Sequence, residues 1–173
     1  MSENSESVHV WQRNASEVSQ IARLNGINGR IVASNERWTC FIPFEDGFSE
    51  LFAKRAKGFV VVWKYADDFG LWISAFDAGR ELGTLAFEWG ALSRPVSQAL
   101  LEWLKDRSRG DAMDDLLGLA AEVGPLGRKP REVRDAVAGR LGLPAYDWLS
   151  PHYARDTPIE EIQDEFPDAE DIL

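Results

Sequence analysis

FVVVWKYADDFGLWISAFDAGRELGTLAFEW, residues 59–89, is the stretch whose reading decides the fold. In its first run Phe59, Val61, Trp63 and Tyr65 fall on one face and Val60, Val62 and Lys64 on the other. That is the period-2 pattern of a strand buried on both sides near its start. Asp67-Asp68-Phe69-Gly70 then turns the chain. The second run, 71–76, sets Leu71, Ile73 and Ala75 against Trp72, Ser74 and Phe76, and Asp77-Ala78-Gly79 reverses direction again. The third, 82–88, sets Leu82, Thr84 and Ala86 against Leu85 and Phe87, with Trp89 following. Such short connections join antiparallel neighbours, because a parallel crossover needs about a dozen residues or more. The stretch reads as a three-stranded meander.

Upstream, GRIVAS (29–34) and WTCFIPF (38–44) flank Asn35-Glu36-Arg37 and read as a hairpin, with Pro43 at a strand end or sheet edge. Val18, Ile21 and Ala22 mark a helix opened by Ser16 and stopped at Asn25-Gly26, and FSELFAKRAK (48–57) marks a second, short helix. Downstream of Gly90 the apolar period changes to 3.6. Three helices are expected: one capped by Ser93 with the stripe Val96, Ala99, Leu100, Trp103 and Leu104, one around Met113, Leu116, Leu117 and Ala120, and one from Pro130 through Val133, Val137 and Leu141 to Gly142. The expectation is an α+β protein: an antiparallel sheet of hairpin plus meander with interspersed short helices, then three helices and an acidic amphipathic tail. Residues 1–12 read as a flexible segment, 13–91 as a mainly β region, 92–155 as a helical region packed on it in the same domain, and 156–173 as the tail.

At 173 residues and 45% apolar content the chain can bury an ordinary core without covalent staples. Cys40 is the only cysteine, so no internal disulfide forms, and no apolar run approaches the roughly 18–20 residues that span a bilayer. The opening MSENSESVHV lacks the basic and apolar regions of a signal peptide. The expectation is a cytoplasmic protein with no membrane partner.

The net charge of −10 is unevenly spread: residues 1–91 carry 12 acidic and 9 basic residues, 92–155 carry 9 and 10, and 156–173 carry 8 and none. Nucleic acid recognition relies on Lys and Arg meeting phosphates, so this balance argues against DNA or RNA as the main partner and for a basic protein. The tail itself is patterned. Thr157-Pro158-Ile159-Glu160 has the form of a capping box, and Ile159, Ile162 and Phe166 recur on one edge. Glu160, Glu161, Asp164 and Glu165 fill the rest of a short helix, which must dock on something because two turns are marginal alone in water. The clusters Lys105-Arg107-Arg109 and Arg128-Lys129-Arg131-Arg134 could receive it, and so could a basic partner.

No catalytic set is legible. His152, Tyr153 and Asp156 offer a weak one, in which Asp156 orients the imidazole as a general base beside a pocket between sheet and helices. His9 lies beside the flexible start, Cys40 sits in an apolar strand, and the carboxylates around the meander are explained by turn chemistry. No Cys/His/Asp set has metal-ligand spacing and no glycine-rich strand–loop–helix unit is present, so neither a metal nor another cofactor is expected. Of the seven tryptophans, Trp38, Trp63 and Trp103 fit core stripes, whereas Trp72 and Trp89 are candidates for an exposed binding or homodimer face. The leading expectation is a non-catalytic interaction module, of inhibitor or immunity type, that binds a basic partner through its acidic tail. The alternative is an enzyme or small-ligand protein with a pocket near His152.

Overall fold

The computed structural model describes residues 4–66, 69–88, 91–92, 99–100, 102, 130–145, 147 and 149–173. Eight strands form one sheet: β1 (Asn4–Trp11), β2 (Gly29–Ser34), β3 (Trp38–Pro43), β4 (Phe59–Ala66), β5 (Gly70–Asp77), β6 (Arg80–Glu88), β7 (Ala91–Leu92) and β8 (Glu170–Ile172). Their order across the sheet is β7-β6-β5-β4-β1-β3-β2-β8, and every pairing is antiparallel. The described residues include helices α1 (Ala15–Leu24), α2 (Phe48–Arg55), α3 (Pro130–Leu141), α4 (Pro151–Asp156) and α5 (Ile159–Gln163). The α+β class, the hairpin β2–β3 and the meander β4–β5–β6 are as the sequence predicts.

Both faces of the sheet are covered, as the first run of the meander requires. On one face Val61, Trp63, Tyr65, Leu71 and Ile73 pack with Val137, Ala138 and Leu141 of α3. On the other, Val60, Val62, Val8 and Val10 meet Val18 and Ala22 of α1 and Phe52 and Ala53 of α2. A third cluster joins Val32, Cys40, Ile42 and Phe44 to Leu149, Ala154, Ile162 and Ala169, bringing the C-terminal segment into the core. The turn that closes β5 onto β6 depends on glycine: Ala78 and Gly79 have φ of 48° and 80°, and a Cβ on Gly79 would strike the Lys54 carbonyl.

The first correction concerns residues 1–12. Rather than a flexible segment, Asn4–Trp11 is a central strand between β3 and β4, with Val8 opposite Phe41 on one side and Val62 on the other. Ser5, Ser7 and His9 fill core-facing slots and are all buried, so polar side chains hide the alternation that would have marked a strand. His9 therefore stands at the middle of the sheet.

Smaller differences arise at helix ends. Helix α1 is capped by Asn14, whose side chain accepts from the Glu17 amide while Glu17 reaches back to the Asn14 amide, and Ser16 lies inside the helix. SPHYARD is a helix, α4, with Ser150 as its N-cap and Pro151 in the first turn. The capping box expected at Thr157 does not form: Pro158 occupies the N-cap position of α5 without a side-chain hydrogen bond. Of the helix expected from Ser93, Ala99, Leu100 and Glu102 are described and helical, with Leu100 buried against the meander; the rest of that helix, the helix expected around 113–120, and Trp89, Trp103, Lys105, Arg107, Arg109, Arg128 and Lys129 lie outside the described residues.

Candidate functional site

The acidic tail is built into the fold from three anchors. Ile162, Ala169 and Ile172 are each 3% exposed or less. Burying an aliphatic side chain of the size of Ile contributes roughly 1.5–3 kcal/mol. Strand β8 pairs with β2 in the register Gly29 to Ile172, Arg30 to Asp171 and Ile31 to Glu170. The buried Arg30 guanidinium donates to both Asp171 carboxylate oxygens at 2.6 and 3.2 Å and to the Thr157 carbonyl at 3.0 Å. The tail thus closes on β2 through Arg30, a cation outside the basic clusters considered from sequence. Ser19 adds a hydrogen bond to Glu170 at 3.0 Å.

These anchors divide the carboxylates. Glu170 and Asp171 bond inward, while Glu160, Glu161, Asp164, Glu165 and Asp168 are all exposed. Among the described residues no ion pair engages Glu160, Glu161, Asp164 or Asp168. The sequence correctly places the carboxylates outward and Ile162 inward.

The His152, Tyr153 and Asp156 set does not converge into an acid–base pair. Arg155 binds Asp156 at 2.7 and 3.3 Å and holds its carboxyl below the usual carboxylate range. The same guanidinium approaches His152 Nδ1 at 3.2 Å, a contact in which only the ring nitrogen can accept. Nε2 lies 3.5 Å from an Asp46 oxygen, so the carboxylate facing the imidazole is Asp46 and not Asp156. Tyr153 is 45% exposed and its amide serves the Ser150 cap.

His152 and Trp72 do share a depression of about 350 Å³ with Glu6, Asp46 and Lys64. Lys64 donates to Glu50 at 2.6 Å and lies 3.7 Å from Glu6 Oε1, which is shielded from solvent and among the described residues accepts no hydrogen bond. Burial lowers the ammonium's pKa less than its carboxylate neighbours Glu50 and Glu6 raise it, so Lys64 is more firmly protonated than usual. It is a fixed cation and no nucleophile. A wider hollow of about 680 Å³ beside the start of α1 is bordered by Arg13, Glu17, Asn35 and Arg37, and there Arg13 is already paired with Glu17 at 2.6 Å.

The two remaining reactive side chains are enclosed. Burial pushes the Cys40 thiol up, away from thiolate formation, and pushes the His9 imidazole down to about 3. His9 Nε2 lies 2.9 Å from the Ser7 hydroxyl, and among the described residues Nδ1 has no hydrogen-bond partner. Neither reaches a described hollow. Among the described residues no group of three His, Cys, Asp or Glu side chains is placed to hold a metal ion, and no helix is long and apolar enough to cross a membrane. Compared with models of known families, with curated proteins and with solved structures, the chain matches none.

Proposed function

We propose that this protein is a non-catalytic interaction module, of inhibitor or immunity type, whose anchored acidic segment binds a basic protein in the cytoplasm. The observation that carries the reading is the division of the tail: Ile162, Ala169 and Ile172 face the core while Glu160, Glu161, Asp164 and Glu165 face solvent. Anchoring matters because a preorganised charged surface gives up less conformational freedom on binding than a loose tail. Carboxylates aligned on such a surface accelerate encounter with a cationic partner, and salt weakens that attraction.

The test is capture from lysate of the native host at low salt, comparing the intact chain with the E160Q/E161Q/D164N/E165Q variant. Those four side chains are exposed, so their neutralisation leaves the anchors intact. Removing the tail after Arg155 is a poorer test, because it also strips Ile162 and β8 from the core. The expected result is a basic protein retained by the intact chain, lost from the variant, and released as salt rises. Equal capture by both forms would contradict the proposal.

A further inference from the structure

We propose that the depression between β1, β4, β5 and α4 is a seat for a guanidinium group, taking an arginine side chain of the basic partner. The inference rests on the interaction reading above and gives it a specific anchor point. Register places Glu6, Lys64 and Trp72 in one row across three neighbouring strands, since Lys64 pairs with Glu6 on β1 and with Trp72 on β5. Neighbouring strands are about 5 Å apart, so the three side chains line one continuous floor. Asp46 and His152 form the wall contributed by the β3–α2 connection and α4.

Three features favour a planar cation. Trp72 is half-buried, and although Lys64 is its cross-strand neighbour, among the described residues no cation is stacked over its ring and no second ring contacts it. An indole face is the strongest cation–π platform among side chains, and guanidinium stacks on it while keeping its N–H donors free at the edge. Carboxylates also outnumber the ammonium: Glu6 and Asp46 line the depression beside one lysine, Asp46 is 74% exposed, and Lys64 hydrogen-bonds to Glu50 outside its lining. With Glu6, Asp46 and Glu50 set against Lys64, and the Arg155 guanidinium beside His152 already paired with Asp156, the seat carries excess negative charge. An anion would meet those carboxylates; a guanidinium would find the Asp46 carboxylate and the Trp72 ring in one depression.

The decisive experiment titrates the full chain with N-acetyl-arginine methylamide, and separately with its uncharged isostere N-acetyl-citrulline methylamide, at neutral pH. Two-dimensional NMR follows the Trp72 indole N–H, assigned as the cross-peak missing from W72F. The arginine probe is expected to shift that peak saturably, and the citrulline probe to leave it in place. The E6Q and D46N variants should each weaken the response at least about threefold, the scale of one lost charge contact beside a ring. Asp46 is exposed, so D46N keeps the test valid even where E6Q perturbs packing. An unmoved Trp72 peak, equal shifts from both probes, or a response indifferent to both substitutions would overturn the seat. Those outcomes would leave a tail-dependent capture standing. Conversely, a saturable arginine response together with tail-independent capture would uphold the seat and remove the acidic tail as the partner's main contact.

Discussion

The meander and the acidic tail both bury apolar side chains against the same sheet, but they hold their place in different ways. In β4–β6 each strand is paired along nearly its whole length, and residues from both of its faces enter the core. The tail contributes one three-residue strand at the sheet edge, a short helix and one buried arginine contact. A mutation in the meander therefore attacks the whole fold, whereas one in the tail acts first on docking. An edge attachment of this kind leaves one side of the segment free to carry charge outward.

The largest expected effect lies in the meander. Trp63 is fully buried between Val61 and Tyr65 neighbours and α3, and Trp63→Ala should cost about 3–5 kcal/mol in denaturant melts, with the whole chain unfolding in one step. A comparable loss confined to the tail would break the comparison.

Next comes an effect of pH at the sheet centre. His9 is held at about 3 in the folded protein against about 6.5 when unfolded, so between those values the unfolded chain binds the extra proton. Its contribution is fully present above about pH 6.5 and is lost as pH falls toward 3. The neighbours Ser7 and Trp38 carry no charge that would offset protonation. The slope should approach roughly 1.4 kcal/mol per pH unit. His9→Gln should flatten that part of the stability profile, and unchanged slopes would show that His9 is not enclosed as described.

A smaller loss is expected from Asp171→Ala, which leaves the buried Arg30 without its carboxylate. Because Asp171 is 30% exposed, the cost should be about 2–3 kcal/mol rather than the larger figure for a fully buried pair. Tail amides should lose protection before those of β4. Arg30→Met, which removes the stranded charge, should be milder than Asp171→Ala. The smallest effect on stability belongs to E160Q/E161Q/D164N/E165Q, within about 0.5 kcal/mol for each exposed site, although binding to a basic partner should fall most.

How far the sequence reaches can be judged from these same elements. The meander is legible because its apolar alternation is unbroken and its turns contain Asp, Ala and Gly at the reversal points. Strand β1 is not, because Ser5, Ser7 and His9 occupy its core-facing slots and only Val8 and Val10 report the other face. Helix α4 left a readable signal, Ser150 followed by Pro151, but its six residues are too few for an apolar period. In the tail, Ile162 reads correctly as inward, yet nothing local marks Asp171 as the partner of Arg30, 141 residues away. The depression was half legible: Trp72 and His152 are candidates from sequence, but only strand register brings them together with Glu6 and Lys64.

The central claim is that the acidic segment is a docked part of the fold that presents its charge from a fixed position. Hydrogen exchange of the intact chain at neutral pH, resolved to single amides, addresses it directly. The account predicts that the amides of Phe166 and Ala169, and the paired amides of β8, exchange slowly, as those of β2 do. Exchange across 157–172 at free-peptide rates, with β4 and β5 still protected, would contradict it.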